Sequence, residues 1–231
     1  MDKFEYNDPD GVGPGTLGMW VTNTSYLAQQ FTPQCNFALS RIVAMIRRWG
    51  NLGYLVVEIR SVDGNGKPTS EVLLTTSILS GLIGTSYSLI TIDFVSSISL
   101  TSGVTYALVL HTTATPDWEN EFADFNVGGW QVNRTNSYSR GNGLVSHDSC
   151  ASWEYVYVEQ EGGAYDMCFE IWGSAEITHV MPLGSYRLLP GKTDGPGVGV
   201  EGIDWQWTGL NCMTTIRRLV AVTNNKFWYE T

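Results

Sequence analysis

The chain has 231 residues, of which 43% are hydrophobic and only 16% charged, and its 23 acidic and 13 basic side chains give a net charge of −10. So acidic a chain lacks the clustered Lys and Arg side chains that phosphate contacts need, and nucleic-acid binding is not expected. No run of 18 apolar residues is present, so a membrane-spanning helix is not expected either.

The N-terminal segment, residues 1–17, is rich in Asp, Gly and Pro and predicts an extended arm. It lacks the basic and apolar regions of a signal peptide. If Met1 is the true start, the protein is expected to be made in a cytoplasm and not exported.

The body of the chain has the residue pattern of an all-β protein, because short runs of Val, Ile, Thr, Tyr and Phe alternate with clusters of Gly, Ser, Asn and Pro. Residues 35–50 (CNFALSRIVAMIRRWG) are mostly β-branched or small at their centre, which predicts a strand buried on both faces. Leu55, Val57 and Ile59 then lie on one face of the next strand. Four later segments also have strand-like patterns: 86–95, 103–113, 152–159 and 164–173. Residues 18–174 therefore predict a jelly-roll antiparallel β-sandwich.

The C-terminal residues, 175–231, form an extension that is punctuated by Gly and Pro. Asn224-Asn225 predicts the turn of a hairpin between two apolar runs. An apolar hairpin has little of its own to pack on, so it is expected to pair with the sandwich edge or with another chain as an assembly element. Its apolar residues are Leu219, Val220, Val222, Phe227, Trp228 and Tyr229.

The stretch Asp63 to Pro68 (DGNGKP) could be a metal loop, a phosphate-binding loop or a turn. A calcium loop needs carboxylates at alternate positions, whereas Asp63 is the acidic residue here and Glu71 comes too early to close the loop. The sequence does not fit GxxxxGK[ST]. Gly64 and Gly66 allow positive φ, so a structural turn is predicted.

The four cysteines, Cys35, Cys150, Cys168 and Cys212, form no CxxC pair. Zinc-ribbon and thioredoxin-like sites are therefore excluded. Free buried thiols are expected for a protein of a reducing compartment.

No catalytic residue, metal ligand or cofactor site is predicted. His111 ends a strand, which favours a structural role. A dyad of His147 with Cys150 is conceivable but disfavoured, because residues at this spacing in a loop need not face each other. Asp117, Glu119, Glu121 and Asp124 form an acidic loop that is more typical of a solvated surface than of two opposed catalytic carboxylates.

Three tryptophans, Trp118, Trp130 and Trp153, fall in loop-rich or strand-start segments. Exposed aromatic rings provide stacking surfaces for sugars and contact area at protein interfaces. These residues are therefore the candidate glycan or interface aromatics, with burial in the sandwich core as the alternative.

The order of four segments carries a resemblance to a known family. "AQQFTP" is followed by "GYLVVEIRSVDGNGKPTSEVLLTTS", then "SLITIDFVSSISLTSGVTYALVLHTT", and finally "DMCFEIWGS". Over about Ala28 to Gly173 this resembles the choice-of-anchor R type jelly-roll domains, which occur as structural or ligand-presenting modules of bacterial surface proteins and phage virions. The resemblance implies no catalytic residue. The final "RRLVAVTNNKFWYE" is similar to segments of tailed-phage virion and tail proteins.

These observations favour a non-enzymatic structural protein of a tailed-phage virion, in the head, neck or tail. Its expected partners are other virion proteins and further copies of itself, with host surface glycans as a further expected contact. A carbohydrate-binding module of a bacterial surface protein is the alternative, and a glycan hydrolase is the least favoured class.

Overall fold

The computed structural model of the chain describes residues 1–7, 18–119, 125–133, 138–156 and 165–175, together with the backbone of 218–223 and 226–230. The strands are β1 (Asp2–Asn7), β2 (Gly18–Val21), β3 (Tyr26–Phe31), β4 (Phe37–Trp49), β5 (Tyr54–Val62), β6 (Pro68–Leu79), β7 (Ser88–Leu100), β8 (Tyr106–Thr112), β9 (Val127–Asn133), β10 (Gly143–Ser146), β11 (Glu154–Tyr155), β12 (Asp166–Met167), β13 (Phe169–Ala175), β14 (Arg218–Thr223) and β15 (Lys226–Glu230). A short 3₁₀ helix, Ser80–Leu82, follows β6.

Two antiparallel sheets make up the first compact unit of the chain, Met1–Ala175. One is seven-stranded, with the order β1-β13-β4-β9-β12 and with β2 and β7 paired to β9 and β4. The other is six-stranded, with the order β11-β10-β3-β8-β5-β6. Because the chain crosses from one sheet to the other several times, the predicted all-β sandwich is confirmed.

The core contains large side chains from both sheets, as the alternating patterns predict. Leu55, Val57 and Ile59 are completely buried on β5, and the long strand β4 has neighbours along both of its edges. The largest fully buried side chains are Trp130, Phe31, Phe37, Phe169, Leu27, Leu39, Ile42, Ile46, Leu52, Leu55, Ile59 and Ile83. Among the residues that the structure describes, no helix is long and apolar enough to cross a bilayer.

The first part of the predicted N-terminal arm is a strand of the sheet. Residues 2–7 form β1, which pairs with β13. Glu5 on this strand is 1% exposed, and its carboxylate accepts hydrogen bonds from the hydroxyl of Tyr138 (2.8 Å) and from Nε of Arg140 (3.1 Å). Backbone pairing and the buried Glu5 carboxylate thus make residues 2–7 part of a sheet, while residues 8–17 of the predicted extended arm lie outside the described part.

The predicted strand at 164–173 is divided in two. β12 pairs with β9, whereas β13 pairs with β4 and β1. The break is at Cys168, whose N–H donates to the carbonyl of Gln131 (2.9 Å) and whose carbonyl accepts the N–H of Met45 (3.4 Å). Of the strand expected at 152–159, β11 covers Glu154 and Tyr155, and residues 157–159 lie outside the described part.

The cysteines follow the prediction in part. Cys150 and Cys168 are not disulfide-bonded, and Cys168 is buried. Cys35 is disulfide-bonded, so the prediction of a free thiol is wrong at that position. A disulfide requires two Cα atoms within about 7 Å of each other, which spacing along the chain does not reveal.

The stretch Asp63 to Pro68 forms the turn of the β5–β6 hairpin, as predicted. The Asp63 carboxylate accepts the backbone N–H groups of Asn65 (2.9 Å) and Lys67 (2.8 Å) through one oxygen. The hydrogen bond from the Lys67 N–H holds the pKa of Asp63 below its ordinary value. Gly66, and not Gly64, adopts positive φ (76°). The polar groups of the turn therefore satisfy one another.

The second compact unit of the chain comprises Glu176–Thr231. Within it, β14 and β15 pair as an antiparallel hairpin with Thr223 opposite Lys226, as predicted from the sequence. The role of this hairpin as an assembly element remains a prediction.

Candidate functional site

A row of outward-facing residues crosses three strands of the seven-stranded sheet. Gly129 on β9 lies opposite Trp20 of β2 on one side and opposite Arg47 of β4 on the other. Paired residues share a face and successive residues alternate between faces. In the next row, Trp130 and Ile46 are completely buried in the core. Trp20, Gly129 and Arg47 therefore face away from the core.

Aromatic rings from other segments gather on this row. The Trp20 ring stacks with Trp118 at 4.9 Å and with Trp49 at 5.8 Å between ring centroids. Phe125 contacts Trp20 at 5.7 Å and meets Trp118 edge-on at 5.3 Å. Trp118, in the segment after β8, leaves 54% of its surface exposed. We call this cluster the aromatic platform; it consists of Trp20, Trp49, Trp118 and Phe125, together with Tyr87 and Arg47.

Two glycines allow the rings to lie directly on the backbone. A Cβ atom on Gly129 would be 2.8 Å from Cζ3 of Trp49 and 2.8 Å from the hydroxyl of Tyr87. A Cβ atom on Gly18 would be only 1.4 Å from the same hydroxyl. Burial raises the pKa of Tyr87 to about 12, so this hydroxyl is neutral and can donate a hydrogen bond at neutral pH. The glycines are thus the floor of the platform.

Arg47 is the cation of the platform. Its guanidinium carbon lies 3.5 Å from the ring centroid of Trp49 and 5.2 Å from that of Tyr87. Such cation–π contacts hold a guanidinium flat against an indole. The Nε atom of Arg47 is buried and has no hydrogen-bond acceptor among the residues that the structure describes. The platform therefore combines flat apolar rings with a cation that no described carboxylate pairs with.

The structure separates the three tryptophans that the sequence singled out. Trp118 belongs to the aromatic platform. Trp130 is completely buried and donates from Nε1 to the carbonyl of Cys168 (2.9 Å), so it cannot present a surface to a glycan or a partner. Trp153 is half-buried and packs on a small apolar cluster of the six-stranded sheet. Trp130 is thus a core residue because strand alternation turns it inward, which its loop-like flanks did not indicate.

A second cluster of polar groups lies on β5, β8 and β3. Nε of Arg60 donates to the Glu58 carboxylate (2.7 Å), and Nε2 of His111 lies 3.8 Å from the same carboxylate. Burial opposes ionisation of Glu58, but the neighbouring His111 ring and the charge of Arg60 hold its pKa below the ordinary value. The His111 ring stacks on Tyr26 at 4.1 Å. This cluster is internally paired, which agrees with the structural role expected of His111.

The conceivable thiol dyad is not assembled. His147 contacts the hydroxyl of Ser25 (3.4 Å) and the Glu154 carboxylate (3.5 Å) and lies at the surface. Burial raises the pKa of Cys150 to about 11, which keeps the thiol protonated and therefore a poor nucleophile at neutral pH.

Of the acidic loop, Asp117 and Glu119 are described, and Glu121 and Asp124 lie outside the described residues. Within the described ranges, no group of three or more His, Cys, Asp or Glu side chains is placed to hold a metal ion.

Sequence reasoning missed Trp20, Trp49 and Arg47. A signal was present in the Gly128-Gly129 pair beside Trp130, since glycines inside a strand often mark a close approach by another group. The Gly128-Gly129 pair does not indicate which residues approach, because that depends on the register of β2 and β4.

No family model matches the sequence, and no curated protein matches it.

Proposed function

We propose that this protein is a non-enzymatic structural component of a tailed-phage virion that contacts a surface glycan through the aromatic platform. The observation that carries the glycan contact is the stack of Trp118, Trp20 and Trp49, with Trp118 more than half exposed. The C–H face of a sugar ring is apolar and weakly positive, so it packs well on the negative face of an aromatic ring.

The geometry also suits a binding surface that is formed before the ligand arrives. The rings are held by each other and by the glycine floor, so little side-chain freedom remains to be lost on binding. A neutral Tyr87 hydroxyl and the Arg47 guanidinium add polar groups beside the rings. Flat apolar area with a few fixed polar groups is the usual composition of a small-ligand site.

Two features support the virion part of the proposal. The first is the family resemblance of the region from about Ala28 to Gly173. The second is the separate unit Glu176–Thr231 with its β14–β15 hairpin, whose sequence is strongly apolar. Burial of such side chains is worth about 1.5–3 kcal/mol each, which gives the hairpin a reason to pack on a partner.

The glycan contact is tested on an array of surface glycans with the whole chain, Trp118→Ala and Tyr6→Ala. Tyr6 is a half-exposed aromatic on β1, outside the platform, and serves as the matched control. Binding of the array ligands should weaken about tenfold or more in Trp118→Ala, since a stacked ring contributes on the order of 1 kcal/mol beyond its buried area. The control should bind as the wild type does. Binding that Trp118→Ala leaves unchanged, or no binding at all, would contradict the proposed contact.

The assembly role is tested by deletion of residues 176–231. The remaining two-sheet unit should stay folded but lose self-association or incorporation into particles. Unfolding of the truncated chain, or a full-length protein that is a monomer and enters no particle, would show that the assembly role is wrong.

The alternative function, a carbohydrate-binding module of a bacterial surface protein, draws on the same aromatic platform. Incorporation into purified particles separates the two, because only a virion component is retained there. The genes encoded beside this one provide an independent criterion, since capsid, portal or tail genes would favour the virion.

A further inference from the structure

We propose that the ligand of the aromatic platform is an acidic glycan, a sugar chain with carboxylate groups, and that Arg47 binds the carboxylate. This inference rests on the proposed glycan contact and specifies the ligand class. It depends on how Arg47 differs from the other arginines that the structure describes.

The other four arginines whose side chains the structure describes have oxygen acceptors within the protein. Arg41, Arg60 and Arg140 pair with the carboxylates of Asp93, Glu58 and Glu5, and Arg48 donates to the carbonyls of Ile83 and Gly50. In a chain with 23 acidic and 13 basic residues, a nearby carboxylate is the usual surrounding of a cation. Arg47 has aromatic neighbours instead, and its Nε is buried with no acceptor among the described residues.

The guanidinium of Arg47 faces aromatic rings and has no carboxylate beside it among the described residues, so an anionic ligand would balance its charge. A guanidinium is planar, and its N–H groups donate hydrogen bonds that lie in that plane. A carboxylate can accept two such bonds side by side, which is the strongest arrangement available to an arginine. A neutral sugar hydroxyl would offer a single uncharged acceptor oxygen instead of two charged ones.

The position of Arg47 fits a ligand that uses both parts of the platform. Arg47 and Trp20 lie on opposite sides of Gly129 in one cross-strand row, and the Trp20 ring continues through stacking to the exposed Trp118. A glycan that stacks on the exposed Trp118 ring would therefore lie on the same face of the sheet as Arg47. The aromatic rings would position the sugar chain, and the Arg47 guanidinium would select for carboxylate groups along that sugar chain.

The test compares each acidic glycan with a partner that differs in charge. One pair is a tetramer of galacturonic acid and its fully methyl-esterified form, and the other is 3′-sialyllactose and lactose. A glycerol phosphate oligomer, which has charge but no sugar ring, reports binding by charge alone. Dissociation constants are measured by calorimetry for the wild type, Arg47→Met, Arg47→Lys and Arg41→Met. Arg41→Met removes a charge from the same strand outside the platform and is the matched control.

We expect at least one acidic glycan to bind about tenfold more tightly than its neutral partner, because a hydrogen-bonded charge pair is worth about one such factor. This preference should disappear in Arg47→Met, fall in Arg47→Lys because a lysine lacks the planar fork, and persist in Arg41→Met. The glycerol phosphate oligomer should bind far more weakly than the preferred acidic glycan.

Other results overturn the inference in distinguishable ways. Equal binding of acidic and neutral partners by the wild type would refute the role of Arg47 while the glycan contact stands. Tight binding of the glycerol phosphate oligomer would reassign the site to anions in general. No binding of any glycan would contradict both this inference and the proposed function. The wild-type comparison decides the matter even if Arg47→Met does not fold.

Discussion

Replacement of Glu5 by Ala should destabilise the first compact unit strongly, because this residue anchors β1 from inside the protein. The Glu5 side chain is buried, and its carboxylate accepts bonds from the Tyr138 hydroxyl, from Nε of Arg140 and from the backbone N–H of Gln34 (3.3 Å). An arm that packs on no sheet would make none of these contacts. The substitution therefore distinguishes two views of residues 2–7, a strand of the sheet and an unattached arm.

The magnitude follows from what the substitution leaves behind. Removal of one member of a buried ion pair typically costs about 3–5 kcal/mol. A third of the Arg140 side chain is exposed, so its guanidinium can regain water, which places the cost near the lower limit. The buried Tyr138 hydroxyl loses its acceptor, which by itself costs about 1–3 kcal/mol. We expect the free energy of unfolding to fall by about 3 kcal/mol.

The assay is urea unfolding followed by tryptophan fluorescence, with Lys3→Met as the matched control. Lys3 lies on the same strand and pairs with Glu170 (3.0 Å) at the surface. Such an exposed pair contributes at most about 1 kcal/mol. If Glu5→Ala lowered the free energy of unfolding by no more than Lys3→Met does, the view that β1 is anchored by a buried carboxylate would have to be abandoned.

Three further predictions concern the turn, a buried acid and catalysis. Asp63→Asn should leave the response of the melting temperature to calcium unchanged, since the Asp63 carboxylate accepts hydrogen bonds from backbone N–H groups. A calcium-dependent rise of the melting temperature that disappears in the variant would contradict this. Burial raises the pKa of Asp166 to about 6. The protonated carboxyl group therefore stabilises the folded state fully below the pKa of the unfolded chain, and this stabilisation is lost as the pH rises through 6. The free energy of unfolding of the wild type, relative to Asp166→Asn at each pH, should therefore fall by up to about 3 kcal/mol from pH 4 to pH 7, and a constant difference in urea titrations would be the opposite result. No turnover is expected on polysaccharides, esters or peptides, and turnover that a single point mutation abolishes would overturn the non-enzymatic assignment.

Local sequence was sufficient where a structure depends on neighbours along the chain. Leu55, Val57 and Ile59 share one face of β5, because successive strand residues point to opposite faces, and all three are completely buried. The turn at Asp63 was predictable because its carboxylate bonds to N–H groups only two and four residues later. The β14–β15 hairpin was predictable for the same reason, since its two apolar runs are adjacent in the sequence.

The position of β1 and the burial of Trp130 were decided by tertiary structure. Composition predicted an arm at residues 1–17, yet residues 2–7 pair with β13, which comes from the other end of this unit. Trp130 and Trp118 both fall in loop-rich or strand-start segments, but one is fully buried and the other is more than half exposed. Alternation states which residues share a face, but it does not state which face another sheet will cover.

Composition, alternation and turn residues were thus enough to predict the all-β class and the β5–β6 turn. That Trp20, Gly129 and Arg47 lie in one row was not predictable, because it depends on the registers of β2 and β4 against β9. Register is a relation between segments far apart in the chain, and a shift of one residue would turn Trp20 and Arg47 to the opposite face. The aromatic platform exists through that register, since none of its three strands contains it alone.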